Sequence, residues 1–139
     1  MKKKHSTILV ACAVFALIVA AIVLIAGRTT TLEFSDLMPK KPKPESCQII
    51  CATTEGMNAI VLREADLEAL VSVLESVEYV KAGSYDSIME GTIYHAYFAS
   101  QGEEIFSMHI SDLGKVYIGK TAYDFSPNVI SSYLETVLP

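Results

Sequence analysis

The sequence predicts an α+β fold: an antiparallel sheet of five or six strands, packed on one face by two helices, that follows an N-terminal transmembrane helix. Three observations support this prediction. Short apolar runs rich in β-branched and aromatic residues are separated by turns that contain glycine. Two other stretches repeat apolar residues at helical spacing. The chain of 139 residues also has, near its start, a long apolar run without charge.

The apolar run near the start covers residues 8–27 and follows three lysines at residues 2–4. A helix of about 20 residues is roughly 30 Å long, which is the thickness of the hydrocarbon core of a bilayer. Residues 1–28 are therefore predicted to be a cytoplasmic basic start and a single-pass membrane anchor, with the rest of the chain outside the cell. The alternative is secretion after signal cleavage, which the large residue Leu24 near the end of the run disfavours.

The part of the chain after the apolar run divides into a spacer and one domain. Residues 29–45 contain the segment PKKPKP, whose prolines can neither pair within a sheet nor continue a helix, so an extended spacer is predicted. Residues 46–139 are long enough for one hydrophobic core and are predicted to form a single extracytoplasmic domain. From residue 29 onward there are 7 basic and 16 acidic residues, a charge of −9, which excludes nucleic acid as a partner.

Six segments of this domain have the composition of strands: CQIICATT, NAIVL, EYVKA, TIYHAYFA, EIFSMHIS and KVYIGK. The turns TEGM, SQGE and DLGK connect neighbouring segments as hairpins, and GSYDSIMEG is predicted to be a loop. The first helix is READLEALVSVLESV, where Leu67, Leu70 and Leu74 lie on one face and acidic residues lie near the start. The last helix is SPNVISSYLETVL, with Ser126 as N-cap and Pro127 at its first position.

Two cysteines in the segment CQIIC are a candidate chemical site. In a strand, Cys47 and Cys51 point to the same side but lie about 13 Å apart. A disulfide needs Cα atoms roughly 4.4–6.8 Å apart, so the two thiols cannot bridge each other, and they cannot share one metal ion. We therefore predict that both are buried as small hydrophobic residues, with an intermolecular disulfide as the alternative.

The strongest candidate for a binding surface comes from the meander of strands. A hairpin register that sets Phe98 opposite Phe106 would place two histidines of neighbouring strands opposite each other on the other face, and the next turn would add a tyrosine. A slip of one residue would destroy this row. No catalytic residue, metal ligand or cofactor is predicted, because no cysteine or sequence-fixed carboxylate lies nearby. The predicted binding surface consists of His95, Tyr97, His109 and Tyr117.

These patterns predict a non-enzymatic binding or regulatory module at the outer face of the membrane, with a protein at the cell surface as its partner. The sequence contains no GxSxG, HExxH or Walker motif. One alternative is a small metal-dependent or hydrolytic enzyme that uses the His95/His109 face. Another is a structural subunit of a membrane complex, associated through small residues of the anchor such as Ala13 and Ala16.

The order of the elements, with the local segment GKVYIGKTAY, resembles small membrane-anchored domains of uncharacterised function from Gram-positive bacteria. The resemblance extends over most of residues 31–138. It implies a surface-exposed α+β domain and assigns no catalytic residue to this chain.

Overall fold

The computed structural model describes residues 2–26, 30–84, 89–126 and 128–139. It divides into two compact units, Met1–Thr30 and Thr31–Pro139. The first unit contains helix α1, Lys2–Ala26. The second unit contains all the other elements, which are β1 (Thr31–Leu32), α2 (Phe34–Leu37), β2 (Ser46–Thr53), β3 (Gly56–Arg63), α3 (Glu64–Glu75), β4 (Glu78–Ser84), β5 (Ile93–Ser100), β6 (Glu103–Ser111), β7 (Lys115–Ile118), β8 (Thr121–Ser126) and α4 (Ile130–Val137).

Helix α1 contains the apolar run. Across the ranges that the structure describes, no helix combines the length and the apolar character that crossing a membrane requires. The prediction of a single-pass transmembrane helix over residues 1–28 is therefore wrong.

The second unit is built on one antiparallel sheet with the strand order β1-β4-β8-β7-β6-β5-β2-β3. Within the described residues the sheet has eight strands, so the prediction of five or six is wrong. The six predicted segments all contain strands, and β1 and β8 are additional.

Strand β8 pairs with both β7 and β4, and it ends at Ser126, which lies opposite Glu78. Because Ser126 belongs to this ladder, α4 begins at Ile130 and not after Ser126, and its N-cap is Val129. Pro127 lies outside the described residues.

The sheet has two faces that differ in what covers them. The described helices of the second unit pack on the first face, where α3 contributes Leu67, Leu70 and Leu74 and α4 contributes Ile130 and Leu134 to one hydrophobic core. The alternation of buried and partly buried residues along β5 follows the period of a strand with one face on this core. The second face carries the side chains between those positions, among them Gln48, Ile50, His95, Tyr97, His109, Tyr117 and Ala122.

The segment that precedes the predicted domain contributes to the same core. Phe34, the first residue of α2, is 1% exposed, and its ring centroid lies 6.2 Å from that of Phe98 on β5. Asp36 accepts a hydrogen bond from the backbone N–H of Glu33 and so closes the first turn of α2. Residues 31–38 are thus part of the folded unit.

The two cysteines of CQIIC lie on β2, and both point into the core. Cys47 is 0% exposed and Cys51 is 3% exposed, and neither forms a disulfide. The prediction that they are buried as small hydrophobic residues is confirmed. Burial raises the pKa of the Cys47 thiol to about 12. The pKa of Cys51 is also raised, first by burial and second by the negative charge of Asp112.

These thiols are expected to be inert in the native protein. Maleimide added at neutral pH should label Cys12, which is exposed, and should label Cys47 and Cys51 only after denaturation in guanidinium chloride, because buried thiols with a raised pKa form little thiolate. Mass spectrometry of the intact chain counts the labels. Native labelling of the Cys12→Ser variant would contradict the burial of the other two.

Candidate functional site

A row of side chains crosses five neighbouring strands on the second face. The register sets Ile50 of β2 opposite His95 of β5, His95 opposite His109 of β6, and His109 opposite Tyr117 of β7. Tyr117 in turn lies opposite Ala122 of β8. The pairing of Phe98 with Phe106 is also the one used in the sequence analysis. The structure therefore brings together three of the four predicted site residues in this row, and Tyr97 lies two residues from His95 on the same face.

The two histidines are in direct contact. The Nδ1 atoms of His95 and His109 are 2.6 Å apart, and the two rings meet edge to face with centroids 4.7 Å apart. A contact of this length between two nitrogens requires one proton between them, so one ring donates an N–H and the other accepts it through a lone pair. The pair therefore holds at least one imidazole in its neutral form.

The surroundings of His109 favour its neutral form. The side chain is half-buried, and burial is the main cause that lowers its pKa below the usual value for histidine. The charge of His95 acts in the same direction, and the carboxylate of Glu104 opposes both. At neutral pH, His109 thus carries a lone pair that can accept a proton or bind a Lewis acid.

The two tyrosines of the predicted surface differ in exposure. Tyr97 is partly exposed, and its ring lies 6.4 Å from that of His109 in an edge-to-face arrangement. Tyr117 is only 4% exposed, so it offers little area to a partner. Two other tyrosines, Tyr79 and Tyr94, belong to the core of the first face. The tyrosines of this chain are thus mainly structural, and Tyr97 is the one beside the histidine pair.

A shallow groove of about 640 Å³ lies beside the histidine pair on the second face. We call it the threonine groove, because its lining includes Thr53 and Thr54 at the end of β2, Thr92 just before β5, and His95. Ala52, Gly91 and Ile93 complete the lining, so the groove combines hydroxyl groups and one imidazole with apolar surface.

The wall of the threonine groove is held by hydrogen bonds to the end of β6. The carboxylate of Asp112 accepts a bond of 2.9 Å from the N–H of Thr92, and the hydroxyl of Ser111 donates to the carbonyl of Glu90. Asn128, just before α4, donates its amide to the carbonyl of Asp112 at 2.8 Å. Asp112 therefore has a structural role. Asp124 forms an exposed ion pair with Lys115 at 2.8 Å.

Gly91 occupies a position in this wall that only glycine fits. Its φ is +85°, and a Cβ atom there would collide with the Asp112 carboxylate and the Leu113 side chain. Gly91→Ala is expected to lower the free energy of unfolding by about 2 kcal/mol. The cost of backbone strain at positive φ and the cost of displacing the Asp112 carboxylate from Thr92 both contribute to this loss. Urea denaturation measures the change, with Gly102→Ala as a control that is also strained in backbone but has open space around its Cβ. Equal losses in the two variants would contradict the role of the Asp112 contact.

The sequence analysis missed a second concave region. A groove of about 900 Å³ lies between the segment that contains α2 and helix α3. Its floor is apolar, with Phe34, Leu67 and Val71, and its rim has lysines on one side and glutamates of α3 on the other. The helical spacing of Glu64, Glu68 and Glu75 was visible in the sequence. The opposite wall was not, because residues 29–45 were taken to be an extended spacer.

The described residues contain no group of three or more His, Cys, Asp or Glu side chains arranged to hold a metal ion. The histidine pair is thus a two-residue site, with hydroxyl groups beside it. Comparisons with protein-family models, with curated proteins and with solved structures found no match for this chain.

Proposed function

We propose that this protein is a non-enzymatic binding module that contacts a protein partner through the second face of its sheet. The observation that supports the proposal most is the partly exposed cluster of His95, Tyr97 and His109 on the face opposite the helices. Aromatic side chains supply contact area at a small cost in conformational entropy, and imidazoles add hydrogen bonds. Export from the cell belongs to the same proposal, and the lysines followed by an apolar run support it.

Exposed apolar side chains extend this surface toward one edge of the sheet. Met57 and Val61 of β3 are 73% and 48% exposed. They lie on the second face, because Val61 is opposite Gln48 and Met57 is opposite Ala52. An interface commonly combines an apolar centre with a polar rim, and the apolar edge and the imidazole cluster together provide both.

The proposal is tested by crosslinking in intact cells with the tagged full-length chain. A photoreactive amino acid is placed at Val61 or at Ser107, both on the second face, and at Glu68 on the exposed side of α3 as the matched control. We expect one dominant protein crosslinked from the first two positions and not from the third.

A further set of variants links the capture to the cluster itself. Combining His95→Ala with Tyr97→Ala is expected to lower the yield of that crosslink at least tenfold, while Thr136→Ala on the exposed surface of α4 leaves it unchanged. Equal capture from all three crosslinker positions, or capture that is insensitive to the double variant, would refute the second face as the contact surface.

A further inference from the structure

We propose that His95 and His109 form a binding site for a divalent transition-metal ion of the class that prefers imidazole, with Cu²⁺ bound more tightly than Zn²⁺. The two Nδ1 atoms converge on one point from neighbouring strands and are 2.6 Å apart. Imidazole nitrogen is a preferred ligand for copper, nickel and zinc, and the affinity of a given nitrogen site rises toward copper along the divalent series.

The geometry needs only a small adjustment to accept the ion. Metal–nitrogen bonds of about 2.0–2.1 Å at a tetrahedral angle place two ligand nitrogens about 3.3 Å apart. The Nδ1 atoms must therefore separate by roughly 0.7 Å, which small rotations of the two rings provide, with loss of one hydrogen bond. The ion takes the place of the proton between the two nitrogens, and the ring that donated this proton changes to the tautomer protonated at Nε2, so both rings stay neutral.

The backbone on which the pair stands is rigid. Strand β5 is paired on both sides, with β2 and β6, and β6 is paired with β5 and β7. His95 and His109 are direct cross-strand partners in the middle of these ladders. Ligands held on paired strands lose little conformational freedom when the ion binds. The entropy cost of binding is therefore small, and two such ligands suffice for measurable affinity.

The charge and the open side of the site also suit a cation. The carboxylate of Glu104 lies close enough to His109 to add negative charge to the site, and negative charge favours a cation. His95 also lines the threonine groove, where water can occupy the remaining coordination positions of the ion. Because the protein supplies two ligands, the site keeps open positions, unlike a closed structural zinc site.

The inference does not require the proposed partner, because metal binding is measured on the protein alone. Cu²⁺ and Zn²⁺ are titrated separately into the full-length chain, and binding is followed by calorimetry with a competing chelator. We expect one ion per chain, tighter for Cu²⁺. His95→Gln and His109→Gln should each weaken binding at least thirtyfold, whereas His5→Gln, which removes the one histidine outside the pair, should leave it unchanged.

Electron paramagnetic resonance of the Cu²⁺-loaded wild-type chain gives a test that needs no variant, since hyperfine splitting from two imidazole nitrogens is expected. Circular dichroism first establishes that each variant is folded. No binding by the wild-type chain, or binding by the His95→Gln and His109→Gln variants that is as tight as that of the wild-type chain, would overturn the site and show a hydrogen-bonded pair or an adventitious ion only. If the crosslinking experiment captures a partner but the wild-type chain binds no metal, the proposed function stands and only the metal site is refuted.

Discussion

Replacing Phe34 with alanine is expected to lower the free energy of unfolding of the second unit by about 3–5 kcal/mol, the usual loss when a buried phenylalanine is truncated. Phe34 is 1% exposed and contacts Phe98, which is itself fully buried and contacts Phe106. The deletion would leave a cavity at the junction of α2, α3 and the sheet. Such a loss is a large fraction of the stability of a domain of this size.

Urea unfolding followed by circular dichroism measures this effect. Val61→Ala is the matched control, because Val61 is 48% exposed and its truncation is expected to change stability by less than about 1 kcal/mol. If Phe34→Ala unfolds at the same urea concentration as the wild-type chain, residues 31–38 do not belong to the folded unit.

Alkaline pH is expected to destabilise the second unit through Cys47. The pKa of its thiol is raised from 9.0 to about 12 by burial, so the folded state holds the proton more tightly than the unfolded chain does. The stabilisation is fully present below pH 9, declines as pH rises from there, and is lost near pH 12. Three pKa units correspond to about 4 kcal/mol at 1.36 kcal/mol per unit.

Urea unfolding in a reducing buffer at a series of pH values from about 8 upward measures this loss. The Cys47→Ala variant should start from a lower stability but lose less of it with rising pH than the wild-type chain. Cys12→Ala is the control and should follow the wild-type curve, because Cys12 is exposed. Tyr79, whose pKa burial also raises, adds a loss of the same sign in all three proteins. An unchanged pH dependence in Cys47→Ala would contradict the role of this thiol.

The register of the central hairpin shows how much the hydrophobic pattern alone can predict. The turn of β5 into β6 contains Gln101 and Gly102, both with positive φ, and it pairs Ser100 with Glu103. Extended unchanged, that register would set His95 opposite Met108. The ladder shifts by one residue next to Phe98, however, and pairs Phe98 with Phe106. Phe98 is fully buried and packs against the partly buried Phe106, and this contact favours the observed register. The prediction from the apolar pattern therefore succeeded where the turn alone would have failed.

Strand β8 carried a signal that was overlooked. Ile118 pairs with Thr121 across the two-residue turn Gly119–Lys120, which is a common hairpin signature. Ser126 and Pro127 were predicted to start the last helix, because serine and proline are common at helix starts. The same two residue types also occur where a strand ends, so the local sequence does not distinguish the two cases. Strand β1 and helix α2 were missed for another reason. Their stability comes from the burial of Phe34 and from pairing with β4, and neither contact is visible in the local sequence.

The residues of the candidate site could be predicted from the sequence, but the distances between their side chains and the shape of the groove beside them could not. Alternation and register place His95 and His109 opposite each other, and these follow from the sequence. The 2.6 Å contact between their Nδ1 atoms depends on side-chain rotamers, and the threonine groove depends on the long-range bond between Asp112 and Thr92. Such contacts between residues far apart in sequence are set by packing of the whole sheet.

The position of β4 in the sheet has a consequence for synthesis on the ribosome. Among the described strands, β4 pairs with the two-residue β1 and with β8, which is the last of them to be made. At a synthesis rate of about 5–20 residues per second, the interval between completion of β4 at Ser84 and of β8 at Ser126 is roughly 2–8 seconds. During that time the hairpins of β2 with β3 and of β5 with β6 can form, while β4 lacks its main partner. The nascent chain therefore completes this sheet only after β8 has left the ribosome.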